Sequence, residues 1–242
     1  MSSHSKPLTE KISLDGSKPF HLLRDAIGEE VKRAAMACID AQRRVVPAPQ
    51  VTAREGGGAA EQVSAKALAD ILAGGDDVHG IATDGGISDV VVINAPNIGD
   101  SVHDEEVARL RAQLDRQVAS MLRRVVQPGF RIAIRRSGQF WYPPGSHMGW
   151  HTNNRAPGWR VYLTHASEPG RSFFRYRHPV SGEIVTSTDG DWDLRVFRVD
   201  PDRPLWHAVY SDTDRFSFGY VIVPQSLPRA LLQWGKGMLA RA

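Results

Sequence analysis

Hydrophobic positions along this chain change period once, near Gly129: upstream they recur at helical spacing, downstream at every second residue. From His21 to Arg44, Leu22, Ile27, Val31, Ala35, Cys38 and Ile39 trace a helical stripe, and Pro47 and Pro49 end it. Ser64 is placed to cap a short helix through Leu72, which Gly74-Gly75 stops. The run DVVVINA, Asp89 to Ala95, is apolar, short and bounded by turn residues, so it reads as a buried strand. Asp104 followed by Glu105 and Glu106 opens the clearest helix, with Val107, Leu110, Leu114, Val118, Met121, Leu122 and Val125 on one face and Pro128-Gly129 closing it.

Beyond Gly129 the expected strands are Phe130 to Arg136, Gln139 to Tyr142, Trp159 to His165, Ser172 to Arg177, Leu194 to Val199, Leu205 to Tyr210 and Phe216 to Val223. Short strands following helices predict an α+β fold, a β-sandwich or open barrel braced by helices. The segment before about residue 20 is polar and reads as a flexible tail or one short edge strand, and Leu227 to Leu239 reads as a final amphipathic helix. At 242 residues one domain suffices: 21–242, divided into a helical support region 21–128, a β core 129–224 and a C-terminal helix 225–242.

Composition narrows the function classes. The formal net charge is only +3, and no concentrated basic tract supports nucleic-acid binding. The single cysteine, Cys38, excludes an internal disulfide, fits a reducing compartment and reads as a small buried residue. No apolar run is long enough for a membrane span, and the first residues lack the apolar stretch of a signal peptide, so the expectation is a cytoplasmic protein without a membrane partner. The oligomeric state has no signal in the sequence. Gly56-Gly57-Gly58 lacks the spacing of a phosphate loop and reads as loop.

The chemistry concentrates in the second half. Strand alternation puts His151 and Asn153 on one face with Thr152 pointing away; His207 follows fifty-six residues later, then Arg215 and Ser217. Pairing of the later strands brings His207, Arg215 and Ser217 to one interior, where an arginine can hold a carboxylate in a two-point grip. Two histidines and one carboxylate on one face are the ligand set of non-haem Fe(II) oxygenases, and Asn153 stands where the carboxylate would be.

The segment Arg131 to Val223, with FWYPPGSHMGWHTNNRAPGWRVYL and PLWHAVYSDTDRFSFGYVIV, resembles the double-stranded β-helix (jelly-roll, cupin-like) core of the Fe(II)/2-oxoglutarate-dependent oxygenases, near the aspartyl/asparaginyl and prolyl hydroxylase branch. The resemblance implies Fe(II) on His151, Asn153 and His207, and 2-oxoglutarate on Arg215 and Ser217 with a phenol from Tyr162 or Tyr142. It implies hydroxylation of an unactivated C–H bond in a small or amino-acid-like substrate, consuming dioxygen and releasing succinate and CO2. Three readings of Asn153 stand side by side: an amide-oxygen ligand, a bystander to an iron held by two histidines, or the mark of a metal-free binding module. The second admits halogenation, desaturation or cyclisation.

Other residues of the region have ordinary readings. His147 reads as an exposed loop residue after Pro-Pro-Gly, with a place at the mouth of the site as the alternative, and His165 as a spare. Trp141, Trp150, Trp159 and Trp206 read as core packing, with one or two walling a substrate pocket as the alternative. Arg155, Arg160, Arg175 and Arg177 give the region a positive cast that suits an anionic substrate or the keto acid itself, and solvated strand faces account for at least half of them. Asp189, Asp191 and Asp193 read as an acidic turn, with replacement of the missing carboxylate ligand as the alternative.

Overall fold

A computed structural model describes residues 11–46, 58–75, 87–88, 90–95, 99–100, 104–127 and 131–225. The expected C-terminal helix, the closing Pro128-Gly129 and most of the glycine-rich loop lie outside them. Two antiparallel sheets face each other. One has the order β1 (Phe20–Leu22), β10 (Trp192–Val199), β7 (Gly158–Ala166), β12 (Arg215–Gln225), β5 (Arg131–Tyr142), β3 (Val91–Ala95), β4 (Gly99–Asp100). The other runs β2 (Ile87–Ser88), β6 (Ser146–His151), β11 (His207–Ser211), β8 (Ser172–Arg177), β9 (Ile184–Thr188). From β5 to β12 the chain passes back and forth between the two sheets, with the β8–β9 hairpin the one step taken within a sheet. This is the winding of a double-stranded β-helix, so the predicted fold class stands.

The helices cover the outer faces. α1 (Glu29–Val45) and α4 (Glu105–Val125) pack on the larger sheet, where Val31, Ala35, Cys38 and Ile39 of α1 and Leu114, Val118, Met121 and Leu122 of α4 meet Val161, Leu163, Leu194, Val196, Phe216 and Phe218. The Asp104 side chain accepts a hydrogen bond from the Val107 amide, satisfying one of the unpaired amides at the start of α4. Replacing Asp104 by alanine is expected to destabilise the protein by about 1 kcal/mol, read as a lower urea midpoint at unchanged slope. On the other side α2 (Ala59–Gln62) and α3 (Ala65–Gly74) cover the smaller sheet through Val63, Leu68, Trp150 and Trp206. Ser64 caps α3 as expected, and Gly75 ends it in the left-handed conformation at φ 72°.

Several boundaries move. The helix read from His21 begins only at Glu29, because residues 20–22 add a strand to the edge of β10. The two strands expected between Phe130 and Tyr142 are one long strand, β5, carried across Ser137-Gly138 by its pairing with β12. Alternation alone does not delimit β6 and β9. The N-terminal segment follows the edge reading from residue 11 on: buried Ile12 bridges Val126, and its amide donates to Val125 O at 2.8 Å.

Candidate active site

The space between the sheets is lined by alternate residues, and the strand register sorts them into rungs. On the larger sheet Ala166, Arg215 and Tyr142 lie at one level, followed by Asp193, Thr164, Ser217 and Phe140. Next come Arg195, Tyr162 and Gly219, then Phe197, Arg160 and Val221. Across the interior, the His207 ring centre lies 5.3 Å from Phe197 and 5.4 Å from Phe174. The histidines therefore occupy one end of the interior, and Arg215 the other.

His151 and His207 are direct register partners on β6 and β11, with ring centres 4.1 Å apart. Both are buried. Each Nδ1 donates to a carbonyl of its own chain segment, His151 to Gly149 O at 2.8 Å and His207 to Leu205 O at 3.0 Å. With Nδ1–H so engaged, each Nε2 carries its lone pair, the tautomer a metal ligand needs. Burial pushes His151 down to about 4, and burial together with the neighbouring imidazole holds His207 well below the usual histidine range. Both are neutral donors at pH 7.

A β-bulge sets up this pair. His207 faces His151, but Val209 faces Met148, so β6 carries one residue more than β11 between these points. The extra residue lets Met148 and His151, three apart, both point inward, while Trp150 turns outward and donates to Ser64 O at 2.9 Å.

Asn153 reaches the site by a different route from the one alternation predicts. β6 ends at His151, and Asn153 has φ 59°, a left-handed turn that asparagine tolerates better than most residues. The turn brings Asn153 Nδ2 to 3.1 Å from His207 Nε2 and the same side chain to the Tyr162 hydroxyl. Among the described residues no group of three His, Cys, Asp or Glu side chains converges, so no carboxylate joins the two histidines.

At the opposite end Arg215 is fully buried, with its guanidinium carbon 4.9 Å from the centre of the Tyr142 ring. Its Nε donates to Asp189 Oδ2 at 2.8 Å, which directs the terminal nitrogens elsewhere. Asp189 also accepts from Ser172 Oγ at 2.6 Å and pairs with Arg195 Nη1 at 2.7 Å; Asp193 pairs with Arg195 at 3.3 Å and Arg24 at 2.5 Å. Burial alone would raise the Asp189 carboxyl, but Arg215 and then Arg195 outweigh it and hold it down at about 2. Ser217 and Thr164 sit one rung from Arg215, and buried Thr164 Oγ1 has no hydrogen-bond partner. Burial raises both Tyr142 and Tyr162, and Arg215 opposes the shift in each, so the two phenols remain neutral donors facing that arginine.

Asp189 is not a substitute iron ligand. Its amide donates to Ser172 O, on the rung of Ser211, and four residues of β11, roughly 13 Å of strand, separate that rung from His207. His147 is buried on β6, not exposed in a loop. His165 lies on the helix side, its ring stacked on Trp192 at 4.5 Å. Trp141, Trp150 and Trp206 lie in buried packing clusters outside the interior, and Trp159 packs against the helix-side core, as their ordinary reading has it. Arg160 departs from the solvated reading: it is buried inside. The sequence pattern does not mark Thr164, Asp189, Asp193 and Arg195 as interior polar groups; the one available signal is that they sit on the inward phase of β7 and β10 or in the turn preceding β10.

Strand order and inward-facing polar residues together define a double-stranded β-helix with a histidine pair at one end and a buried arginine at the other. Solved structures similar to this chain include a prolyl hydroxylase from Trichoplax adhaerens in complex with a hypoxia inducible factor oxygen degradation domain peptide fragment, 12% identical over 86% of this chain and 85% of that one, with a TM-score of 0.49. A Pseudomonas putida prolyl-4-hydroxylase matches at 12% identity over 88% and 97%, TM-score 0.45. An oxidoreductase of the 2OG-Fe(II) oxygenase family from Burkholderia pseudomallei matches at 16% over 78% and 90%, TM-score 0.40. No protein-family model and no curated protein matches the sequence. No helix among the described residues is long and apolar enough to cross a membrane.

Proposed function

We propose that this protein is an Fe(II)- and 2-oxoglutarate-dependent oxygenase that hydroxylates an unactivated C–H bond of a small, amino-acid-like molecule. The observation that carries this is the pair of register-matched histidines, each with Nδ1 tied to a carbonyl so that Nε2 carries the lone pair, which in His207 accepts from the Asn153 amide. The residues fit both groups. His151 and His207 would hold the metal, and Arg215, Ser217 and orphaned Thr164 Oγ1 would receive the far carboxylate of the keto acid. When bound, the metal and keto acid supply oxidative decarboxylation to succinate and CO2 coupled to oxygen transfer from dioxygen.

The protein's own part is orientation and exclusion. Asp189 holds Arg215 by its Nε, so the guanidinium meets the carboxylate with its terminal nitrogens and needs little reorganisation. Tyr142 lies against the guanidinium and Tyr162 contacts Asn153, which places a phenol at each end of the keto-acid path. Phe174 and Phe197 flank His207 and keep water from the imidazole.

Anaerobic addition of Fe(II) and 2-oxoglutarate is expected to produce the weak visible charge-transfer band of a metal-chelated keto acid. Absence of the band, with no succinate formed in air, sinks the proposal. The geometry of Asn153 favours a second reading of the coordination: its Nδ2, not its oxygen, is turned to His207 Nε2, so with the amide moved aside the iron would be held by two histidines. Asn153→Asp keeps a residue that accepts the left-handed turn and adds the carboxylate. It is expected to tighten Fe(II) binding at least about tenfold in anaerobic titration. Unchanged affinity would show that residue 153 does not face the metal, and product that requires chloride in the unaltered protein would replace hydroxylation by halogenation.

A further inference from the structure

Arg160 stands out in the interior because its charge is unbalanced. The two buried aspartates of the network are both engaged, Asp189 by Arg215 and Arg195, Asp193 by Arg195 and Arg24. Arg160 is also buried, yet no carboxylate among the described residues pairs with it. Its guanidinium donates to Ala156 O, in the turn after Asn153; the Tyr162 phenol acts on it favourably, and Arg135, another cation, acts against it. A buried cation without a partner is costly, and natural chains retain one where something else completes it.

Position separates this cation from the keto-acid grip. Arg160 is opposite Val221 and Phe197, whereas Arg215 is opposite Ala166; six residues of β12, roughly 20 Å of strand, lie between those rungs. Arg160 is therefore at the histidine end, where its charge acts on His207 and Tyr162. A molecule entering beside the histidines meets it.

We propose that Arg160 forms an anion subsite at the histidine end of the interior, and that the substrate is a small molecule with a free carboxylate that pairs with this guanidinium. The inference rests on the oxygenase reading for the identity of the ligand as substrate. The uncompensated charge itself does not depend on that reading.

Two measurements on the full chain test it. Thermal unfolding without ligands compares the unaltered protein with Arg160→Met, which keeps an apolar stem and removes the charge. The variant is expected to melt about 2–5 °C higher, since a charge held for a ligand burdens the empty protein. A lower melting temperature would assign Arg160 to the scaffold and overturn the subsite. Separately, succinate formation is measured with the common amino acids and, in parallel, their primary carboxamides as probes. Stimulation by at least one acid and not by its amide is expected, falling about 10- to 100-fold in Arg160→Met and largely restored in Arg160→Lys, with the KM for 2-oxoglutarate unchanged. Equal stimulation by amides, stimulation by no acid, or a rise in the 2-oxoglutarate KM overturns the proposal. Failure of the iron and keto-acid band in the unaltered protein would instead remove the oxygenase reading.

Discussion

His207→Ala is expected to abolish turnover and weaken Fe(II) binding by at least about 100-fold, beyond the 10- to 100-fold that loss of a supporting partner of a metal-bound histidine costs. The reason lies in what remains. His151 alone, with a neutral amide nearby and no carboxylate among the described residues to compensate, leaves one strong donor. A site with the usual acid could retain some metal; this one has no such reserve. Anaerobic titration followed by equilibrium dialysis checks the affinity, and succinate release checks turnover. The fold should survive, because the removed ring lies between Phe174 and Phe197 and not in the helix-side core. Metal affinity within a few-fold of the unaltered protein would place the iron elsewhere.

The second large effect is on stability. Asp189→Ala leaves Arg195 and Arg215, both fully buried, without their shared carboxylate. Breaking a buried pair in this way costs about 3–5 kcal/mol, a large part of the roughly 5–15 kcal/mol that holds an ordinary domain together. Soluble expression should fall sharply. Asp189→Asn keeps the shape and supplies the pH arm of the test. The native carboxyl is held at about 2, below the roughly 3.9 of an unfolded aspartate, so its contribution is complete above pH ~4 and is lost as pH falls from there toward 2. The two histidines act in a separate window. Both are depressed by burial, so the metal-free protein loses stability as pH falls from about 6.5 toward 4, while the unfolded chain takes up protons that the native state refuses. Urea midpoints between about pH 3 and 7 should therefore decline in two stages in the unaltered protein. Asp189→Asn should lose the lower stage and keep the upper one.

How far this arrangement could be read from residues alone depends on whether each feature is local. The helix from Glu105 was legible because its cap, its acidic first turn and its apolar stripe all lie within one stretch of chain. The histidines and Arg215 were legible because each chemical type falls on the inward phase of its own strand. The N-terminal strand, by contrast, exists because β10 offers an open edge from the far end of the chain, and nothing near Phe20 announces it. The ion network was hidden for the same reason: Asp189 looks like a turn aspartate until β9 and β10 bring it against Arg215 from the last strand. Asn153 comes beside His207 by a geometry that alternation does not predict, since a left-handed turn has no hydrophobic period to betray it.

The bulge in β6 makes the histidine site depend on a count as well as on chemistry. Met148 and His151 face inward together only because the strand carries an odd number of steps between two inward positions. Regular pairing of the same residues from Met148 onward, without the bulge, would alter no ligand, no charge and no aromatic residue. It would nevertheless exchange the roles of neighbours, turning the Trp150 indole into the interior and the His151 imidazole toward α3. Identity at residue 151 is therefore a necessary condition for metal binding and an insufficient one; the bulge that resets the phase of the strand leading to it is a second, silent determinant, and a homologue that kept every motif letter but paired this strand without the extra step would have lost the site.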